Sequence, residues 1–378
     1  MGAADMTLVI DISDAGWNTP GALSVFSALC KAATEHRAAD RAFTVVAYDP
    51  GGLAKARADQ LLGAPLFDTP LCTKIYSTTP FTPPVVQLGL LSDLTPLGTV
   101  YAPADNWWNL RIDTAPLDSN SQTIINTIKS YDHHYVHPDF GGPWGIPYCV
   151  VGSETPLVPV TLGNTSESDA GYPGAPAGYP IPAAAKTDLR YIESMGGGDR
   201  HLLMYDRDKR AAFELSYAKW TGTRWEAGYG AVFKLDSNYR RPEGWTSTDA
   251  AGLCVLAGLI RYDEVYGTAP IKHATRVNIK KINGYVWPAS HRGSSDAGAP
   301  PLGMRLRLKA SVDLSGYPAP LRKLFQSWKE YGLLVADRGG NMYANGTLDS
   351  RWSNDVLNPA FHSLDADDFE IIKLGWKP

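Results

Sequence analysis

The chain has 378 residues and a formal net charge of −4, long enough for one large body with an appended piece. So balanced a charge gives no general attraction to nucleic acid or to an anionic membrane surface. No apolar run approaches the length of a membrane-spanning helix, so no membrane span is expected. The start MGAADMTLVIDIS lacks the basic stretch and small-residue cleavage site of a signal peptide, which does not by itself decide the compartment.

Residues 1–97 read as a small α/β segment. Strands are expected over 6–12 and 43–48, with helices from Thr19 and Pro20 onward and over 53–62. Asp49-Pro50-Gly51-Gly52 lacks the Lys-Ser/Thr ending of a phosphate loop, so nucleotide binding is not expected. A proline-rich connector over 78–84 follows. Residues 98–378 read as the β-rich body expected to be catalytic, in the sense that all candidate chemistry lies there.

In that body Asp105 and Asn106 stand before Trp107 and Trp108, polar groups beside broad apolar faces, as a sugar subsite requires. Residues 121–131 form an amphipathic helix pattern. His133, His134, His137 and Asp139 crowd together, but Pro138 and the glycines indicate a loop, and no metal is assigned. Segments 145–151 and 156–162 read as a hairpin, and 163–185, rich in Gly, Pro and Ala, as a surface loop. A second hairpin is expected from 202–205 and 211–217 across the turn Asp206-Arg207-Asp208-Lys209. Residues 225–235 alternate as one strand, with Trp225, Ala227, Tyr229, Ala231, Phe233 and Leu235 on one face. Further on, 271–279 alternate and pair with 285–287 across Asn283-Gly284. Arg305, Arg307 and Lys309 share a strand face, either solvated or forming a cationic wall. A helix over 320–331 stops at Gly332, and strands follow over 333–336, 341–344 and 369–374. The fold class expected is mainly β: an antiparallel β-sandwich or jelly-roll-like body with a few helices, preceded by the α/β segment.

Eleven Trp, 19 Tyr, 36 Gly and 28 Pro describe an aromatic-rich, loop-rich protein, a composition that suits a carbohydrate ligand. Hydrolysis of a glycosidic bond needs two carboxyls across a cleft. Glu214 and Asp249 lead the candidates, with Asp199, His201 and Arg261 beside them; the structural alternative for Asp249 is a helix cap at Ala250. Trp245 joins Trp107 and Trp108 as a stacking platform, and His273 and His291 as substrate-binding groups. No Gly-x-Ser-x-Gly elbow occurs. The cysteines Cys30, Cys72, Cys149 and Cys254 form no CxxC, which argues against structural zinc and leaves thiols and disulfides both open.

From residue 101 onward, APADNWWN, HPDFGG with GIPY, GGDRH, GAVFKLDSN, GWTSTDAAGL with IRYDEV, PASH, and RLRLKAS with KEYGLLVAD together resemble a family of secreted bacterial and fungal proteins that has no firmly assigned activity. The resemblance covers nearly three quarters of the chain. It implies a secreted, extracellular protein and supplies no mechanism. The reading reached is a carbohydrate-active enzyme, a glycoside hydrolase acting on a polysaccharide or oligosaccharide without a cofactor. The alternatives are a non-catalytic carbohydrate-binding or cell-surface protein, and then a polysaccharide lyase served by His201, His273, His291 and the basic strand.

Overall fold

The computed structural model describes residues 6–11, 43–48, 72–77 and 90–91 as strand backbone, and residues 103–140 and 144–378 in side-chain detail except at 195–196. The chain forms two compact units, Met1–Val86 and Gln87–Pro378. In the first, β1 (Met6–Asp11), β2 (Phe43–Tyr48) and β3 (Cys72–Ser77) make a parallel sheet in the order β1-β2-β3. The helices expected here, the Asp49–Gly52 turn and the connector lie outside the described residues.

The second unit contains β4 (Leu90–Leu91), α1 (Ser121–Lys129), β5 (His137–Asp139), β6 (Tyr148–Val151), β7 (Val160–Leu162), β8 (Leu202–Asp206), β9 (Ala211–Ser216), β10 (Lys219–Trp220), β11 (Trp225–Ala227) and β12 (Tyr229–Lys234). Then come α2 (Val255–Gly258), α3 (Tyr262–Val265), β13 (Thr275–Ile279), β14 (Arg305–Leu308), α4 (Ala319–Glu330), β15 (Leu333–Arg338), β16 (Tyr343–Asn345), α5 (Asn354–His362) and β17 (Phe369–Ile371). The protein is mainly β, as the alternating patterns indicate. Among the described residues its sheets run β12-β9-β8-β6-β4, β17-β14-β15-β13-β16-β5 and β10-β11-β7, and none closes into a barrel. Each mixes parallel with antiparallel pairs: β6 lies parallel to β8, β13 to β15, and β7 to β11.

The sheet containing β8 is buried on both faces. Alternate residues Leu203, Ala212, Ala231 and Phe233 join the large core, which also holds Val277, Leu306 and Val335 of the β13–β15 sheet. Their neighbours Leu202, Met204, Phe213, Leu215 and Val232 point into a second core with Tyr179 and Trp225. The 202–217 hairpin forms as expected, and Asp206 closes its turn by accepting from the N–H groups of Asp208 and Lys209. Helix α4 also forms as its stripe requires: Leu321, Leu324, Phe325 and Trp328 are fully buried. Pro320 lies in its first turn, where no N–H is needed, and Gly332 ends it at φ 78°.

Two expected pairings do not form, and one expected strand is divided. Residues 145–151 and 156–162 make no hairpin, because β6 and β7 belong to different sheets. The run 225–235 is two strands broken at Gly228. Trp225 and Ala227 therefore enter the second core, whereas Ala231, Phe233 and Leu235 enter the large one. Strand β13 pairs with β15 and β16, not with 285–287; Tyr285 makes only an isolated bridge to Leu302. The loop 163–185 is not wholly a surface feature either, since Tyr179 and Ile181 are buried in the second core.

Candidate functional site

A cleft of about 280 Å³ opens beside the segment 245–250, which connects β12 to α2. Its walls include Glu167, Asp199, Asp249 and Asp337, with Tyr217, Tyr229 and His291. Three supports hold the segment in place. Thr248 donates its hydroxyl to Glu214 Oε2 at 2.8 Å, and its carbonyl accepts from His201 Nε2 at 2.8 Å. The Ala251 N–H bonds to the Ala336 carbonyl at 3.0 Å, where a register shift in the β13–β15 pair leaves Ala336 unmatched.

Asp249 Oδ1 accepts from the N–H groups of Ala251 and Leu253, each at 3.0 Å, and from Ser247 Oγ at 3.2 Å. Its Oδ2 has no hydrogen-bond partner. Arg276 Nη2, from β13, lies 3.7 Å from Asp249 Oδ2 and 3.7 Å from Asp337 Oδ2. These are ionic contacts too long to be hydrogen bonds, and Arg276 Nε and Nη1 also lack partners. Burial pushes the Asp249 carboxyl up to about 7 against the opposing pull of Arg276. Asp337 is raised for the same reason, although Arg276 and the N–H groups of Arg338 and Ala250 favour its charge. Two carboxyls around one guanidinium resist ionising together, so near neutrality the pair holds a proton. Asp337 is the more accessible, its side chain 22% exposed against 1% for Asp249.

His201 supports this floor from behind. Burial works against its charge, but Glu193 Oε2 at 2.6 Å overcomes that, and its pKa is pushed up to about 9. With both ring nitrogens donating, to Glu193 and to Thr248, the imidazolium state fits the geometry.

Glu214 stands elsewhere than its sequence role required. It is 0% exposed and points into the large core, where Thr248 Oγ1, Cys254 Sγ and the N–H groups of Val255 and Leu256 all donate to it. Such a carboxylate has no face for a substrate; it fixes the start of α2 and the cleft segment. Of the other candidates, Asp199 and His291 line the cleft, and His291 Nδ1 lies 2.9 Å from the Ala250 carbonyl. Trp245 is half-buried with the Arg241 guanidinium 5.3 Å above its ring. Arg261 and His273 form a separate cluster on Glu264, at 2.8 and 3.0 Å, outside the cleft lining. Asp105 is exposed, and Asn106 bonds to Asn238 and to the Trp108 N–H. Trp107 and Trp108 are buried in the large core, so neither offers a ring face to a sugar, and Trp108 packs against Gly258.

Sequence reasoning missed Asp337, Arg276, Glu167, Tyr217 and Tyr229. Asp337 had a usable signal, a carboxylate near the end of a buried apolar strand. Arg276 had none, because alternation put it on the face opposite Thr275 and Val277 and gave no sign that this face is buried too. Tyr217 adopts φ 55°, in the left-handed region that a bulky residue avoids, and is 44% exposed. Its ring lies against bare backbone at Gly228, where a Cβ would come within 2.7 Å of it.

Comparison with family models, curated proteins and solved structures finds no match for this chain. Among the described residues no group of three or more His, Cys, Asp or Glu is arranged to hold a metal ion. No described helix is long and apolar enough to cross a membrane. Cys149 and Cys254 are buried free thiols; Cys30 lies outside the described residues. The basic strand is no cationic wall for this cleft, since none of its three cations lines it. Arg305 donates to the carbonyls of Trp107 and Leu110, and Arg307 to those of Ile112 and Ala115 and to Glu370.

Proposed function

We propose that this protein is a polysaccharide hydrolase whose acid/base pair is Asp249 and Asp337, with Arg276 between them. The observation that carries the reading is that pair: two carboxyls with raised pKa on one guanidinium at the floor of an open cleft. Asp249, protonated up to about pH 7, suits the general acid; the more exposed Asp337 suits the base or nucleophile. Tyr217, strained and exposed at the rim, supports the reading as a ring on which a sugar can stack. The family resemblance supports a secreted setting. Hydrolysis is tested by reducing ends released from a panel of polysaccharides. Asp249→Asn and Asp337→Asn should each lower the rate by about 10²-fold or more, and the wild-type rate should fall as pH rises through about 7. Full activity in both variants removes the assignment.

A non-catalytic saccharide-binding protein is the second reading. What favours it is the burial of Asp249 and the three bonds on its Oδ1, which suit an architectural carboxylate. An oligosaccharide that binds and survives prolonged incubation intact decides for it. Elimination is tested in the same assay by ultraviolet absorbance, which an unsaturated uronic acid product would raise.

A further inference from the structure

Apart from the cleft, we infer that Arg305 anchors a second binding site, which takes a small monovalent anion: a halide ion or the carboxylate head of a larger ligand. The site is a chamber of about 10 Å³, room for one water-sized group, and Trp287, Arg305, Ile372, Lys373 and Trp376 stand in its lining. None of its lining residues is acidic, and none is shared with the cleft. Arg305 opens β14, and its carbonyl accepts from the Ile372 N–H at 3.3 Å, which brings the segment after β17 alongside it.

An uncompensated charge motivates this. Among the described residues the buried arginines are Arg241, Arg261, Arg276, Arg305 and Arg307. Four of them have carboxylates at 2.5 to 3.7 Å: Asp169 for Arg241, Glu264 for Arg261, Asp249 and Asp337 for Arg276, and Glu370 for Arg307. Arg305 is 5% exposed and has no such partner; it donates to the Leu110 carbonyl at 3.3 Å and to that of Trp107. Those bonds use two of its five N–H groups and neutralise no charge. Burial pushes its pKa down to about 9, and no nearby acid pulls the other way. A guanidinium held out of water without a counter-charge is costly, and an anion in the chamber offsets that cost.

Two further observations agree. Trp107, whose carbonyl Arg305 binds, has a buried Nε1 with no acceptor, and its ring meets that of Trp287 edge-on at 6.3 Å. Lys373 adds a second cation to the lining, and Lys377 Nζ lies 5.2 Å above the Trp287 ring. Size then selects among anions. One carboxylate oxygen or one halide fits a water-sized chamber, whereas tetrahedral sulfate does not. Trp287 and Trp376, both half-buried, are broad apolar surfaces on which the body of a carboxylated ligand can rest.

The test is the chloride NMR line width of the full chain, titrated with sodium chloride and then competed with sodium formate and sodium sulfate at equal ionic strength. Broadening by the protein should saturate, formate should displace it, and sulfate should compete about tenfold or more weakly than formate. Arg305→Met should abolish the broadening. That change strips two buried carbonyls of their donor and can unfold the chain, so Lys373→Glu, at an exposed position, is measured beside it. It should weaken chloride several-fold in a chain that still unfolds cooperatively. Formate acting at lower concentration than chloride assigns the site to a carboxylate-bearing ligand, and the reverse assigns it to a halide. Broadening that never saturates, sulfate competing as well as formate, or wild-type affinity in either folded variant overturns the site. The saccharide reading of the cleft stands or falls separately.

Discussion

Glu214 shows how a residue with the right chemistry comes to serve structure. On β9 its side chain must point to the large core, because Phe213 and Leu215 take the opposite face. A carboxylate there survives only if its oxygens are filled, and Thr248, Cys254 and the first N–H groups of α2 fill them. Glu214→Ala strands those donors in the core, so urea unfolding should show a loss of about 3 kcal/mol. A loss below about 1 kcal/mol would mean that the segment 245–250 is held by other contacts. Asp249 and Asp337 differ from Glu214 in one respect: each lines the cleft and faces a guanidinium, whereas Glu214 is met by hydrogen-bond donors alone.

At the scale of elements, β5 is an edge strand of its sheet, joined to β16 over His137–Asp139. Five rings gather there: His133, Tyr135, His137, Tyr343 and His362, with ring centres 4.4 Å apart for the stacked pair His137 and Tyr343 and 5.2 Å apart for the tilted pair His133 and Tyr343. His134 pairs with Asp365 beside them, and Asp139 ends the strand with its carboxyl raised to about 6 by burial. Burial, then the nearby histidines, lowers the pKa of His137 below 6.5, and burial followed by His133 lowers that of His362. Folded, these rings take up protons less readily than unfolded ones. Their contribution to stability is therefore complete above pH 6.5 and is lost as pH falls through the folded values. Amide exchange along β5, corrected for intrinsic rates, should quicken on acidification, and His362→Gln should blunt the effect. An acid response that is unchanged in that variant would place its source outside the ring cluster.

For the whole molecule, the division after Val86 makes a prediction about autonomy. Strand β4 belongs to the second unit, where Leu90 and Leu91 pair with Val150 and Cys149 of β6. A chain starting at Gln87 should fold and unfold cooperatively, whereas one starting at residue 98 loses β4 and bares the edge of β6. Its melting temperature should be several degrees lower, by about 1–2 kcal/mol of lost pairing. Identical melting of the two would show that β4 contributes nothing to the unit.

What the sequence determined by itself was local: the mainly β class, the 202–217 hairpin, the stripe of α4, and the three cleft-lining residues Asp199, Asp249 and His291. Each follows from periodicity, turn chemistry or a polar residue set among small ones, all of which act within a few positions. Tertiary structure decided the rest. Whether 225–235 is one strand or two depends on Tyr217 lying against Gly228, and whether β13 has 285–287 or β15 for a neighbour depends on a chain segment some fifty residues away. That Asp337, and not Glu214, lies with Asp249 about the Arg276 guanidinium has the same cause. Alternation reports that two faces exist, but only the packing of the sheets tells which of them meets a core and which meets the cleft.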